Sequence, residues 1–276
     1  MWKLIKMDFY RLFTSKAIKV GAIMACLLCG GHVLLSLGVI ELAKFAIETD
    51  PEVYESMQGL SMFLPQLAWL SGVDFAEVVF GGTGFFALFI GCMITASFIG
   101  SEQACGFTKN FAGQLPNKGY MVISKFTVTS IALIIILAIY VIVGSLLTMV
   151  LLGNYVSGYD INSLIAALGL RLMLHLAINA IIIFICTLTK SHSIAMVAGC
   201  IFGIGVTKIV YTVAELILGL LKVNFPIGSY MPDGVNSQLA IDTVGEVYIK
   251  ALVVSVVFIV AFLAANYFVV RKRDVK

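Results

Sequence analysis

Charge is what this chain most lacks: 12% of its 276 residues are Asp, Glu, Lys or Arg, while 61% are hydrophobic. A soluble domain carries about a quarter charged and about half apolar residues, so the composition excludes a soluble fold and points to a membrane protein. Proline is scarce as well, with five residues, so long helices can run without interruption. Histidine is rarer still, at His32, His175 and His192. No HExxH or paired-glutamate pattern accompanies them, which excludes a metal-dependent intramembrane protease, and no metal site is expected. A rhomboid-type serine protease is excluded too, for want of a glycine-bracketed serine motif. The phosphate-cradling GxxxxGK[ST] is missing, so the chain encodes no nucleotide site and is not expected to be an enzyme. No basic stripe interleaved with aromatics is present, which excludes a nucleic-acid partner. Of the six cysteines, five lie in apolar runs and Cys105 at a membrane edge, so no external disulfide framework is expected. Cys26 and Cys29, a CxxC inside an apolar run, read as small packing residues.

What the chain has in abundance is long apolar runs. Six can cross a bilayer core, which needs about 20 helical residues; they lie near 18–40, 78–100, 122–152, 163–189, 193–221 and 248–270. The third and fifth exceed the minimum and are expected to tilt or project. The first is not expected to be a cleaved signal, being long and lacking a small-residue cleavage site. Glycines in GGTGFFALFIG (81–91), together with Gly199, Gly203 and Gly205, read as small residues that let helices pack closely. Basic residues then orient the bundle. Segments 1–19, 101–125, 190–192 and the tail from 271 hold thirteen of the eighteen Lys and Arg, with only Asp8, Glu102 and Asp274 among the acids. The alternate segments are acidic, with Glu41, Glu48, Asp50, Glu52, Glu55, Asp74 and Glu77 in the first and Asp233, Asp242 and Glu246 in the last. The expected fold is an all-α membrane protein of six spans with both termini cytoplasmic.

In WKLIKMDFYRLF the bulky residues Trp2, Ile5, Phe9, Leu12 and Phe13 recur at helical spacing, with Lys3, Lys6 and Arg11 on the remaining surface. That pattern predicts an amphipathic helix over 1–17 in the inner interface, its lysines toward anionic headgroups. The outer loop 41–77 holds GLSMFLPQLAWL, too short to span and expected to lie at the outer interface. Segment 222–247, with Pro226, Pro232, Gly228 and Gly234, cannot stay helical and is expected to be a broken or re-entrant outer element.

Charges inside the spans mark a candidate substrate pathway, because each costs at least about 2.5–3.5 kcal/mol in a bilayer centre. Arg171 falls about 12 Å from the outer end of the fourth run and Lys208 about 22 Å from the inner end of the fifth, at 1.5 Å per residue. Glu215 lies seven residues past Lys208, on the same side. Arg171 and Lys208 either line a path for an acidic or amphipathic substrate, or snorkel to the outer headgroups, or are neutralised by Glu215. His175 and Asn179, four apart on one helix face, either join that pathway or hydrogen-bond between helices.

The polar stretch SEQACGFTKNFAGQLPNKGYMVISK (101–125) links the second and third runs on the cytoplasmic side. A hairpin needs only a few residues there. Its Glu102, Gly106, Thr108, Leu115, Pro116, Lys118, Ser124 and Lys125 form a pattern of E-x-x-x-G-(x)-T, then LP, a basic residue and S-K. That pattern, with the amphipathic start, six spans and broken outer element, resembles the ABC-2 type permeases over essentially the full chain. Phe107 between Gly106 and Thr108, and Lys118-Gly119 where Ser-Arg is common, depart from it. The resemblance implies the transmembrane subunit of an ABC exporter in a bacterial cytoplasmic membrane. It implies a homo- or heterodimer of such subunits docked on two ATPase chains, which hold the ATP and Mg. Segment 101–121 would be the coupling loop, with Glu102, Gly106, Thr108, Phe111, Leu115, Pro116 and Lys118 as its coupling residues. An amphipathic or hydrophobic cargo, such as an antimicrobial peptide, bacteriocin or drug, is implied. The alternative is a secondary transporter or channel independent of an ATPase, which would carry ionisable residues in several spans and an internal repeat.

Overall fold

The computed structural model describes residues 1–49, 75–105, 117–153, 161–223, 225–241 and 245–272, and these residues are all helix and connecting turn. α1 (Trp2–Thr14) and α2 (Lys16–Thr49) come first. α3 (Phe75–Gly82), a π-helical turn (Thr83–Ala87) and α4 (Leu88–Ala104) follow, with Val78–Gln103 continuous as one apolar rod. Then come α5 (Tyr120–Leu152), α6 (Ile161–Thr189), α7 (His192–Ile204), α8 (Thr207–Leu220), a 3-10 turn (Gly228–Tyr230), α9 (Pro232–Gln238) and α10 (Gly245–Lys272).

Among the described residues, five helices are long and apolar enough to cross a membrane: Lys16–Leu42, Val78–Gln103, Tyr120–Leu152, Ile161–Thr189 and Gly245–Lys272. They fall on five of the six apolar runs. The run at 193–221 behaves differently from the single long helix expected there. It breaks after Ile204, and α7 and α8 diverge by 72°. At 13 and 14 residues each is about 20 Å long, short of a bilayer core, so they make a sixth crossing only as a bent pair. The break is set by Gly205, whose φ of 77° is left-handed and whose N–H closes on the Ile201 carbonyl. A side chain resists that conformation, and glycine is the usual helix-ending residue there. Gly205 thus ends a helix rather than packing one.

The rod of α3 and α4 and the helix α6 form the centre. Leu88, Cys92, Ala96 and Ile99 of α4 are buried with Val128, Ile136 and Tyr140 of α5, Ile178, Ile182 and Cys186 of α6, and Ala25 and Cys29 of α2. α7 lies against α4 backbone to backbone. A Cβ on Gly199 would sit 3.1 Å from the Cys92 carbonyl oxygen, and one on Gly203 would sit 2.8 Å from Phe89 Cα. Small residues four apart permit that approach, which gives van der Waals contact where lipid offers no hydrophobic drive. A second core of Phe80, Leu164, Leu174, Val235, Leu239, Ala251 and Val254 joins α3, α6, α9 and α10. Expected as a broken outer element, 222–247 contributes α9, whose residues 232–236 are buried.

α1 is separate from α2 by one residue, Ser15, which is extended and whose hydroxyl donates to Leu12 O at 2.6 Å. Its buried stripe is Leu4, Asp8 and Leu12. Trp2, Tyr10 and Phe9 point outward, at 77%, 71% and 39% exposure, with Phe9 stacked on Phe13 at 4.2 Å. One face therefore grips the bundle while the aromatic face is left for a surrounding phase. Leu12 and Arg11, assigned by periodicity to the interfacial faces, belong to the face that meets the bundle.

Candidate functional site

Asp8, Arg11, Glu102 and Lys125 converge from α1, α4 and α5 at the end of the bundle that carries the N-terminal helix. Helical spacing puts Asp8 and Arg11 one turn apart, and Glu102 is the last acid before α4 ends. Glu102 is the hub. Its side chain is 1% exposed, its Oε1 accepts from Arg11 Nη1 at 2.5 Å, and its Oε2 meets Lys125 Nζ at 2.5 Å. Asp8 Oδ1 lies 3.5 Å from Arg11 Nη1, and Ser124 Oγ donates to Asp8 Oδ2 at 2.6 Å. The Arg11 guanidinium also sits 5.5 Å from the centre of the Phe98 ring. Two carboxylates and two cations leave the cluster formally neutral. Burial pushes the Asp8 carboxyl above its usual range; Glu102 adds to that rise, while Ser124, Lys125 and Arg11 oppose it.

Glu102 and Lys125 are the first and last charges of the 101–125 pattern, and they close on each other. Beside them Gln103 Nε2 donates to Cys186 O at 2.7 Å, tying the root of the loop to α6. At its other root Asn117 Nδ2 donates to the Tyr267 hydroxyl at 2.8 Å, and Asn117 Oδ1 accepts from Gly119 N at 2.9 Å. Gly119 is seated against the Tyr267 ring, with no room for a Cβ. Lys118 is half-buried in that turn, its carbonyl accepting from Met121 N at 3.1 Å. Gly106, Thr108, Phe111, Leu115 and Pro116 lie outside the described residues. Of the expected coupling residues, Glu102 is buried in an ionic hub and offers no surface for docking.

The five candidate pathway residues do not meet in one site. Arg171 is 4% exposed. Its Nη1 donates to Phe80 O and to Thr83 Oγ1 (3.0 Å), its Nη2 to Leu239 O at 3.0 Å, and its Cζ lies 3.3 Å from the centre of the Phe80 ring. The π-helical turn, a rare single wide turn between two α-helical stretches, lies at this junction. Phe80 O goes to Arg171 and Gly84 O accepts from Asn236 Nδ2 at 2.9 Å. Arg171 thus fastens α6, the π-turn and α9 to one another, and it does not snorkel.

Asn179 accepts from Thr95 Oγ1 at 2.8 Å and donates to Thr129 Oγ1 at 2.9 Å, joining α4, α5 and α6. His175, one turn away, is 1% exposed, and its Nε2 has no hydrogen-bond partner among the described residues. Lys208 is exposed at the start of α8, beyond the Gly205 break, so its expected depth along a straight helix does not apply. Glu215 accepts from Gly228 N at 2.7 Å, so it caps the 3-10 turn instead of neutralising Lys208.

Sequence reasoning missed the partners more than the residues. Asp8 was legible as the one acid among five basic residues before position 20. Asp233, which accepts from Thr207 Oγ1 and from the Tyr211 hydroxyl at 3.2 Å, carried no signal, because its partners lie more than twenty residues away. No protein-family model matches the chain, and no curated protein matches it.

Proposed function

We propose that this chain is the permease subunit of an ATP-driven exporter of the ABC-2 type, set in a bacterial cytoplasmic membrane with both termini in the cytoplasm. The observation that carries the reading is how the polar stretch is rooted. Glu102 and Lys125, at either end of the resembling pattern, pair at 2.5 Å, and α1, α6 and α10 each hold one root through Arg11, Cys186 O and Tyr267. A load on 106–116 therefore reaches five helices at once, α4 and α5 directly and α1, α6 and α10 through these contacts, as a docking lever requires. Two permease subunits pair, two ATPase chains bind the lever and supply ATP and Mg, and their closure reshapes the bundle.

An amphipathic or hydrophobic cargo, such as an antimicrobial peptide, bacteriocin or drug, fits an interior whose Arg171 and Asn179 are held by protein partners. The same feature argues against an ATPase-independent ion-coupled transporter, which needs ionisable groups free to load and release an ion.

The test is co-expression with a P-loop ATPase encoded by the adjacent reading frame, followed by uptake of a labelled amphipathic peptide into inverted vesicles. The expected result is uptake that needs both chains and ATP and falls on Pro116→Ala. Uptake driven by an ion gradient without the ATPase would overturn the reading.

A further inference from the structure

We propose that Glu102 is a positioning residue that latches α1 onto the bundle, so that α1 has a docked and a released state selected by the charge balance of the four-residue cluster. The proposal goes beyond the permease reading and needs no ATPase.

Three observations carry it. First, α1 is held along one face only. Leu12, with Ile5 and Phe13, packs on the main core, and Leu4 packs on Met121 flanked by Met7 and Tyr120, while Trp2 and Tyr10 face outward. Second, the single residue Ser15 separates it from α2, so release needs rotation only there. Third, the attachment is ionic and dry. Glu102 is flanked by a cation from α1 and a cation from α5, with side-chain exposures of 28% for Arg11 and 10% for Lys125. Removing one partner of such a group leaves a buried charge uncompensated, which costs far more than removing both. Glu102→Gln removes one of the cluster's two carboxylates and gives the cluster a net positive charge. Arg11→Gln/Glu102→Gln restores neutrality, with Asp8 and Lys125 remaining. A latch held by charge balance is therefore opened by the single change and re-closed by the double one; a contact that merely fills space is not.

The experiment uses the full chain in membranes with Leu4→Cys as reporter, since Leu4 is 5% exposed when α1 is docked. A water-soluble maleimide labels the protein, and the label at position 4 is read by mass spectrometry on its own peptide. The exposed Cys105 serves as internal standard. Glu102→Gln should speed labelling at position 4 on the order of 100-fold, and Arg11→Gln/Glu102→Gln should return it to within about tenfold of the parent. An unchanged rate in the single variant, or a double variant as fast as the single, overturns the latch. If Glu102→Gln fails to accumulate, the double variant decides. Normal accumulation with slow labelling supports the proposal, and failure of both overturns it. Absence of ATP-dependent export from the parent chain, with the labelling pattern as expected, would count against the permease reading alone.

Discussion

Replacing Arg171 by methionine tests the geometry at the other end of the rod. Methionine keeps an unbranched stem that can fill the space beside Phe80, but it removes the donors to Phe80 O, Thr83 Oγ1 and Leu239 O. Hydrogen bonds from a charged donor contribute about 1.5–3 kcal/mol each, and a dry cation over an aromatic face adds about 2 kcal/mol. Against this stands the desolvation of a buried cation with no carboxylate beside it, several kcal/mol. The net is a few kcal/mol, and it is not spread evenly. Phe80 O keeps the Thr83 hydroxyl at 2.6 Å, whereas Leu239 O loses the donor that fastens α9 to α6. The change should therefore weaken 232–241 by about 2–3 kcal/mol. Amide exchange there should quicken about 30- to 150-fold, while α4 and α5 stay within about threefold of the parent. Arg171→Lys should fall between, because one ammonium cannot reproduce the spread of a guanidinium. The assay is hydrogen exchange by mass spectrometry in lipid nanodiscs. If 232–241 exchanges at the parent rate in Arg171→Met while export changes, the guanidinium acts on cargo and the fastening argument is refuted.

Two further expectations come from single positions. Gly205→Ala places a Cβ at φ of 77° with only ordinary contact to Lys208 Cε at 3.5 Å, so its cost is backbone strain alone. That cost is about 1–2 kcal/mol, read as a thermal midpoint a few degrees lower in detergent, and Gly205→Asn should recover part of it. Asn179→Leu should cost only about 0.6–2 kcal/mol, because Thr129 retains the Lys125 carbonyl at 2.8 Å; lost export at unchanged stability would instead return Asn179 to a pathway role.

Five spans were legible because each is a run of twenty or more apolar residues, and no other element of a chain this poor in proline can hold such a run. The break at Gly205 was hidden for the same reason: its neighbours are as apolar as the rest of 193–221, so composition cannot tell a bent pair from a long helix. Arg171 and Lys208 looked alike in sequence, as cations in greasy surroundings. They part because Arg171 finds backbone carbonyls of Phe80 and Leu239, far away in the chain, and carbonyls leave no trace in a sequence. Glu102 was singled out by its place in the 101–125 pattern, yet its buried role depends on Arg11, 91 residues earlier. The spacing of Glu215 from Lys208 put them on one side of a helix, but Gly228 N offered Glu215 a nearer donor.

The rod from Phe75 to Ala104 brings these threads together. Its polar attachments fall at three levels: the π-turn held by Arg171 and Asn236, Thr95 on Asn179, and Glu102 in the ionic hub. Between them its buried residues are apolar and close-packed against α7, whose Gly199 and Gly203 bring the backbones into contact. A rod so gripped cannot slide against one partner without straining the others, because packed interiors shift between discrete arrangements and do not deform continuously. From Leu88 to Glu102 it rises about 21 Å at 1.5 Å per residue, so a rotation imposed at Glu102 arrives at the π-turn with little lost along the way. There it meets the π-helical turn, which is tied to the 232–241 segment through Arg171 on Thr83 Oγ1 and Asn236 on Gly84 O. The two ends are thus joined by geometry, and the Arg171 and Glu102 variants should interact: release of α1 should alter exchange at 232–241. Independent effects of Glu102→Gln and Arg171→Met on that segment, additive to within about 0.5 kcal/mol, would show the rod to be a passive support.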